Sequence, residues 1–252
     1  MPLSINLPQT YRYMKQLFIS DLHLQALDTP VTQHFFHFLD LYATQTDQLY
    51  ILGDFFEYWI GDDFTSELTE AVSQRLKAVK ESGTELFFMA GNRDFLLGEN
   101  YAKQCGMQLL PDPYVMPAPQ QHILLSHGDY LCTDDTEYLK FRQLSRSQEW
   151  QHAFLSKPLT DRIAFAQQAR QQSKESQQDY KLIDLNDSAI EEALREYQCQ
   201  LLIHGHTHHP GLRGVAESEF NRLTLSDWDH NIFYIEIIDN AQPQLKQLTC
   251  SS

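Results

Sequence analysis

An α/β fold with helices on both faces of the sheet is what this sequence predicts, and three observations carry it. Short apolar runs alternate with segments whose apolar residues recur at helical spacing. Five of those runs stop abruptly at clusters of Gly, Asp, Asn or His. The chain has 252 residues, enough for a real core in one large domain or in a domain with a sizeable insertion. Strands that alternate with helices argue for an α/β sheet. Ligands of such sheets sit beyond the carboxyl ends of the strands, so all five polar tips are expected along one edge.

Leu17-Phe18-Ile19-Ser20 is the first expected buried strand and runs into Asp21-Leu22-His23. Residues 32–42 carry a helical face of Phe35, Phe36, Phe38, Leu39 and Tyr42. Leu49-Tyr50-Ile51-Leu52 is the second strand, closed by Gly53-Asp54. Leu68, Val72, Leu76 and Val79 predict an amphipathic helix that ends at Gly83. Leu86-Phe87-Phe88-Met89-Ala90 is the third strand, closed by Gly91-Asn92-Arg93-Asp94. Ile123-Leu124-Leu125-Ser126 is the fourth, closed by His127-Gly128-Asp129. The fifth, Leu201-Leu202-Ile203, ends in His204-Gly205-His206-Thr207-His208-His209-Pro210. Segments 222–226 and 232–238 lack helical spacing and read as strands that extend the sheet or close a second layer. No repeat of solenoid period is present.

The rhythm breaks between Tyr130 and about Lys181, where two helices, 134–150 and 160–176, are expected and no strand is. Over 131–181 eight Lys or Arg stand against seven Asp or Glu, a near balance within a chain of net charge −15. An insertion at about 130–181, between two site-bearing strands, suits a lid or substrate cap; the alternative is a helical pair that only covers the sheet edge. Asp47, Asp62, Asp63, Glu67 and Glu70 read as solvated surface. Residues 1–13 read as a disordered extension, from an upstream start, of a single domain spanning 14–252.

The acidic balance argues against a general nucleic-acid binder. It leaves an anionic substrate open, because a bound metal inverts the local charge. The four cysteines are scattered and form no C-x-x-C pair, which suggests reduced thiols rather than a disulfide framework. No apolar stretch follows a basic start and none approaches ~18 residues, so neither a secretory signal nor a membrane span is expected.

The fifth tip points to the chemistry. It packs four imidazoles into six residues, and neutral imidazole is the commonest metal ligand. Together the tips supply Asp21, His23, Asp54, Asn92, His127, His206 and His208. Oxygen and nitrogen donors without thiolate suit Mn, Fe, Co or Zn in a hydrolytic site better than structural zinc. Seven donors are too many for one four-coordinate ion. They fit two ions about 3.5–4 Å apart that share a carboxylate.

The ordered series D-x-H, G-D, G-N-x-D, H-G, G-H-x-H runs from about Leu17 to Pro210 and resembles that of the calcineurin-like metallophosphoesterases. That resemblance implies a layered α-β-β-α sandwich with a helical cap insertion. The forms ISDLHL, GDFFEYWIGDD, GNRDF, LSHGDYLCTDD and IHGHTHHP, with Ser173-Lys174, are similar to the UDP-2,3-diacylglucosamine pyrophosphohydrolases of lipid A biosynthesis. Members hydrolyse UDP-2,3-diacylglucosamine to UMP and 2,3-diacylglucosamine 1-phosphate at the cytoplasmic face of the bacterial inner membrane, using Mn(2+).

By this resemblance Asp21, His23, Asp54 and His208 would hold one Mn(2+). Asp54, Asn92, His127 and His206 would hold a second, with Asp54 bridging. A metal-bridging water is the implied nucleophile toward the α-phosphorus, with Asn92 and Arg93 taking up charge on the phosphate oxygens. Asn92, Arg93, Asp135, Ser173, Gln177 and His206 fall at substrate-contacting positions. Gln177 stands where the family pattern S-K-x-x-N-x-x-K has Asn, and this chain has no Lys at the last position. His204 has no ligand role in the pattern and is expected to hydrogen-bond locally, while His209 faces solvent.

Arg93 separates this chain from most of the superfamily, which has G-N-H-D and uses that His to protonate a leaving alcohol. A sugar 1-phosphate has a second pKa near ~6 and departs without being protonated. An Arg offers a planar fork to phosphate oxygens instead. GNRD therefore points to pyrophosphate cleavage. The implied partner is a UDP-linked diacylated glucosamine lipid, met through peripheral contact of the cap with the inner membrane. Neither nucleic acid nor an obligate protein partner is implied. Phe141, Trp150, Phe154, Leu155, Ile163 and Phe165 are candidates for the acyl-chain lining, against ordinary core packing. The competing readings are a broad phosphodiesterase or nucleotide pyrophosphatase of the same superfamily and a metal-free scaffold; retention of all seven donors disfavours the scaffold.

Overall fold

The structure, a computed structural model, describes residues 13–118, 122–179, 184–229 and 231–248, and of residues 172–179 the backbone alone. The expected extension, apart from Tyr13, lies outside the described residues. The first half runs β1 (Lys15–Ile19), α1 (Pro30–Leu41), β2 (Gln48–Leu52), α2 (Glu67–Glu81), β3 (Glu85–Met89), α3 (Glu99–Cys105), β4 (Met107–Leu110), β5 (Tyr114–Met116) and β6 (Ile123–Ser126). Three helices follow, α4 (Thr136–Ser145), α5 (Gln148–Leu155) and α6 (Leu159–Asp179). The chain then forms α7 (Asp187–Glu196), β7 (Leu201–His204), β8 (Gly211–Gly214), β9 (Asn221–Thr224), β10 (Phe233–Ile238) and β11 (Gln244–Gln247).

The strands form two sheets, and this corrects the expectation of one sheet bearing all five tips. β1, β2 and β3 lie in a six-stranded sheet of order β11-β10-β1-β2-β3-β4, while β6 and β7 lie in a five-stranded sheet of order β5-β6-β7-β9-β8. Side-chain alternation explains the split. Leu17 and Ile19 face the α1–α2 layer with Phe35, Phe38, Val72 and Leu76. Phe18, between them, faces the other sheet with Leu125, Ile203 and Leu223. Leu124 and Leu202 point outward to Ile190 and Leu194 of α7. The packing is thus the layered α-β-β-α sandwich. Strands buried on both faces read as unbroken apolar runs, which name no partner sheet. Of the two late segments, β9 pairs parallel with β7 in the second sheet and β10 pairs antiparallel with β1 in the first.

Local sequence sets the helix ends. The side chain of Ser66 caps α2 at Thr69 N while Thr69 Oγ1 accepts from Ser66 N, a reciprocal box. Leu68, Val72, Leu76 and Val79 are its buried face, as the spacing predicts. The single helix expected over 134–150 is two. Ser147 is extended (φ −70, ψ 143), and its hydroxyl accepts from Trp150 N at 3.3 Å to start α5. A serine hydroxyl serves better as a cap than inside a helix.

Helices α4–α6 form the cap, and arginines fasten it to the core. Arg142 Nε donates to buried Asp129 at 2.8 Å, and its Nη2 reaches Asp112 at 3.1 Å. Arg146 Nη2 donates to the Gly91 carbonyl at 2.9 Å, with its guanidinium over the Phe95 ring. Arg162, only 2% exposed, donates to the Ile60 carbonyl at 2.6 Å and to Asp63 at 2.7 Å. Arg170 Nε lies 2.6 Å from Glu57. Four of the eight basic side chains of the insertion are thus spent inward. Two supposed surface acids belong to this frame. Asp63 anchors Arg162, and Asp62 accepts from Trp59 Nε1 and from the backbone of Gly98, Asn100 and Tyr101 at the start of α3.

Candidate metal centre

The five tips gather at one place although their strands divide between two sheets. β1, β2 and β3 are mutually parallel, as are β6, β7 and β9, so each group ends at one edge. Backbone bonds join the tips. Asp21 N donates to the Gly53 carbonyl at 3.0 Å, His23 N to Asp54 O at 2.9 Å and Gly205 N to His127 O at 3.0 Å. Five of the expected donors have positive φ: Asp21 (56), His23 (49), Asp54 (49), His206 (68) and His208 (54). Non-glycine residues enter this region at a cost, and such strain concentrates at functional sites.

The donors fall into two poles around Asp54, which is 2% exposed. Its Oδ2 lies 3.9 Å from His23 Nε2 and its Oδ1 lies 3.6 Å from His127 Nε2. Asp21, His23 and His208 present donor atoms within 4.8 Å of one another, and so do Asp21, Asp54 and His127. His208 Nε2 is 3.3 Å from Asp21 Oδ1. At the other pole Asn92 Oδ1 is 2.9 Å from His127 Nε2 and 3.0 Å from His206 Nδ1. The structure therefore brings together all seven expected donors and sets His206 and His208 at opposite poles.

The donor set fits a cation. His127 Nδ1 donates to the Leu52 carbonyl at 2.9 Å, which leaves a lone pair on Nε2 of the neutral ring. That lone pair meets two further acceptors, Asn92 Oδ1 and Asp54 Oδ1. A cation between them, a proton or a metal ion, satisfies all three acceptors at once. The titration behaviour agrees. Burial opposes charge on His127, but Asp54, Asp21 and Asp129 overcome it and push the ring up to about 9. Burial likewise opposes His208, yet Asp21 and Asp227 raise it to about 10. Asp21 is held well below the usual carboxylate range, against its burial, by His208, His127 and His23. His206 goes the other way, down to about 4, through burial and the neighbouring His127, and stays neutral as a ligand must.

His204 packs locally, as expected. Its Nδ1 donates to the Gly205 carbonyl at 2.8 Å and its Nε2 accepts from Thr224 Oγ1 at 2.9 Å. Burial, with Arg222 adding to it, pushes the ring down to about 3. Below the ordinary imidazole value the unfolded chain takes up a proton that the folded chain refuses. Stability from this group is therefore full above about pH 6.5 and is lost progressively as pH falls below it. Urea unfolding at pH 6.5 and 5.5 checks this, with His204→Gln expected to remove that part of the slope. His209 is half-buried rather than solvent-facing.

The expected substrate positions fare unevenly. Asn92 and Arg93 line a cavity of about 500 Å³ beside the metal centre. Arg93 is fixed by its backbone, with N donating to Asp54 Oδ1 at 2.8 Å and O accepting from Trp59 N at 3.0 Å. Of the cap candidates, Phe141, Trp150, Phe154 and Phe165 line the cavity, while Leu155 and Ile163 do not. Asp135 is the N-cap of α4, accepting from Tyr138 N at 3.0 Å, and stands outside the lining. Ser173 and Gln177 lie on α6 where only the backbone is described, so their side chains fall outside the described residues.

Several residues that shape the centre carry no expected role. Asp94 binds two tips together, accepting from Gly91 N at 2.8 Å and Phe55 N at 2.7 Å. Burial and the nearby Asp54 push it up to about 6, against those amides. Asp129 is held well below its ordinary value, against burial, by His127, Arg142, His206 and Arg146. Glu57 and Asp227 stand behind His23 and His208 at 3.4 and 3.1 Å. Asp227 follows the 222–226 run, so the rule that found the other tips points to it as well.

The family model described as calcineurin-like phosphoesterase matches residues 14–210. A protein of Aromatoleum aromaticum named UDP-2,3-diacylglucosamine hydrolase is 46% identical over 235 residues, 91% of this chain and 95% of its own length. One of the same name from Tolumonas auensis is 40% identical, covering 90% of this chain and 94% of its own. Another of that name, from Xanthomonas axonopodis pv. citri, is 44% identical over 226 residues, 85% of this chain and 92% of its own. The chain belongs to the calcineurin-like phosphoesterase family, among the UDP-2,3-diacylglucosamine hydrolases.

Proposed function

We propose that this protein hydrolyses the pyrophosphate of UDP-2,3-diacylglucosamine, a step of lipid A biosynthesis, with two Mn(2+) in the centre described above. The single observation that carries the reading is that an aromatic cavity opens from Asn92 and Arg93, at the edge of the metal centre, into the cap. A phosphodiester alone has no use for such a room. An acyl chain does, since each methylene buried there contributes ~0.8 kcal/mol. The relatives' shared name supports the same substrate.

Asp21, His23, Asp54 and His208 would hold one ion, and Asp54, Asn92, His127 and His206 the other. When bound, such ions act as Lewis acids on phosphoryl oxygens and lower the pKa of water to near neutrality. Asn92 turns Oδ1 to the two imidazoles, which leaves its amide N–H groups to donate to a phosphate oxygen. Arg93 offers its guanidinium fork to the pyrophosphate and stabilises charge that grows in the transition state. The sugar 1-phosphate leaves as an anion, so no imidazole is needed to protonate it. The attacked atom in this reading is the α-phosphorus, next to uridine.

No helix among the described residues is long and apolar enough to cross a membrane. Phe141, Leu144, Leu155, Leu159 and Phe165 are exposed on the cap and support peripheral contact with the inner membrane at its cytoplasmic face. Phe165 tests the lipid reading. It is 40% exposed and its ring meets Phe154 and Trp150 at 5.2 and 6.0 Å between centroids, so the simple-diester assay of the same variant reports whether the centre stays folded. Phe165→Asp is expected to raise KM for UDP-2,3-diacylglucosamine about tenfold or more, the share of ~2 kcal/mol of lost apolar burial. Hydrolysis of bis-p-nitrophenyl phosphate should change little. Equal losses on both substrates, or wild-type turnover of the simple diester as fast as of the lipid, would favour a broad phosphodiesterase.

A further inference from the structure

His23 and His208 are each backed by a carboxylate outside the seven expected donors. Nδ1 of His23 faces Glu57 Oε2 at 3.4 Å, a charge contact outside hydrogen-bond geometry, and Nδ1 of His208 faces Asp227 Oδ2 at 3.1 Å. Both rings thereby turn Nε2 inward, toward Asp54 Oδ2 at 3.9 Å and Asp21 Oδ1 at 3.3 Å. The opposite pole is built differently. His127 Nδ1 donates to an uncharged carbonyl, that of Leu52, at 2.9 Å. His206 directs Nδ1 itself at Asn92 Oδ1, at 3.0 Å.

The wider charges keep the difference. Asp129, the carboxylate after His127, is engaged by Tyr138, by Arg142 Nε at 2.8 Å and by Arg146 Nη2 at 3.8 Å. Glu57 is offset by Arg170 Nε at 2.6 Å, whereas Asp227 adds its charge behind His208. A carboxylate behind a ligating imidazole fixes its tautomer and raises its basicity, and its loss costs ~10–100-fold in metal affinity.

We propose that the two metal positions are unequal, and that Glu57 and Asp227 are positioning residues that make the Asp21–His23–His208 position the tighter one. The ranking rests on the two-ion reading above. The Asn92–His127–His206 position fills last and sets the metal concentration at which hydrolysis saturates.

Titration of the metal-stripped full chain with Mn(2+), with free ion read from its EPR signal, tests this. Two classes at least ~10-fold apart are expected for the wild type. Asn92→Ala should abolish the weaker class alone. Glu57→Gln and Asp227→Asn should each weaken the tighter class by ~10–100-fold and leave the weaker one in place. Two equal classes in the wild type overturn the ranking, and that result requires no variant to fold. Variants that spare the tighter class, or weaken the class that Asn92→Ala abolishes, overturn the role of the two carboxylates. Failure of the wild type to bind Mn(2+) stoichiometrically would instead overturn the two-ion reading.

Discussion

Asp54→Asn is expected to lower kcat/KM by about 10³ or more while changing the stability of the metal-free protein far less, because relief of Asp94 offsets the charge partner lost by His127. Asp54 is almost fully buried and directs one oxygen to each pole, at 3.6 Å from His127 and 3.9 Å from His23. An amide at that place removes the shared negative charge and aims N–H donors at one pole. Arg93 N still finds an acceptor if the amide oxygen takes the Oδ1 position, so the tip keeps its shape. Asp94 beside it is relieved of a like charge that helps push it up to about 6. Activity and thermal stability therefore part company. A variant that loses both together would show Asp54 to be a structural carboxylate.

Gly205→Ala is the second large effect, and it comes from sterics alone. A Cβ there would lie 2.2 Å from Asp21 Oδ2 and 2.5 Å from Ser20 Oγ. Neither neighbour can give way cheaply. Asp21 is buried and held by Ser20 and by His206 N at 3.0 Å. The backbone is pinned too, with Gly205 N on the His127 carbonyl at 3.0 Å. Overpacking of this kind costs about 1–3 kcal/mol, a fall in Tm of several degrees for a chain of this size. Here it also displaces a metal-facing carboxylate, so Mn(2+) affinity and turnover should fall with stability. Gly214→Ala is the control. Nothing lies within 4 Å of its Cβ position and its φ is not positive, so stability should stay within about 0.5 kcal/mol. Differential scanning of both variants, beside an Mn(2+) titration, checks the pair.

How far the sequence could be read follows from where the determining forces act. The strand tips were legible because an apolar run that stops at Asp, Asn or His needs no partner to be recognised. The face of α2 was legible because four residues of one periodicity name it. The two-sheet division came from the family resemblance and not from the apolar pattern, because Phe18 and Leu17 are equally apolar and only pairing decides which layer each meets. Helix α3, with seven residues, is too short for periodicity, and its start depends on Asp62, in contact with it in space but 36 residues before Gly98 and an ordinary surface acid in sequence. The cap arginines read as a charge balance, yet their meaning lies in Asp129, Gly91, Asp63 and Glu57, which only the fold brings within reach. Within the centre the residues that gather were legible and their supports were not. Glu57 sits among the aromatics of GDFFEYWIGDD, and Asp94 had a motif but no role until its amide partners were seen.

Water activated at this metal centre is expected to attack the α-phosphorus of UDP-2,3-diacylglucosamine. Hydrolysis by the Mn(2+)-loaded protein in oxygen-18 water, read by mass spectrometry, tests it most directly. One labelled oxygen is expected in UMP and none in 2,3-diacylglucosamine 1-phosphate. Label in the sugar phosphate, or undiminished turnover by chelator-stripped protein, would contradict it.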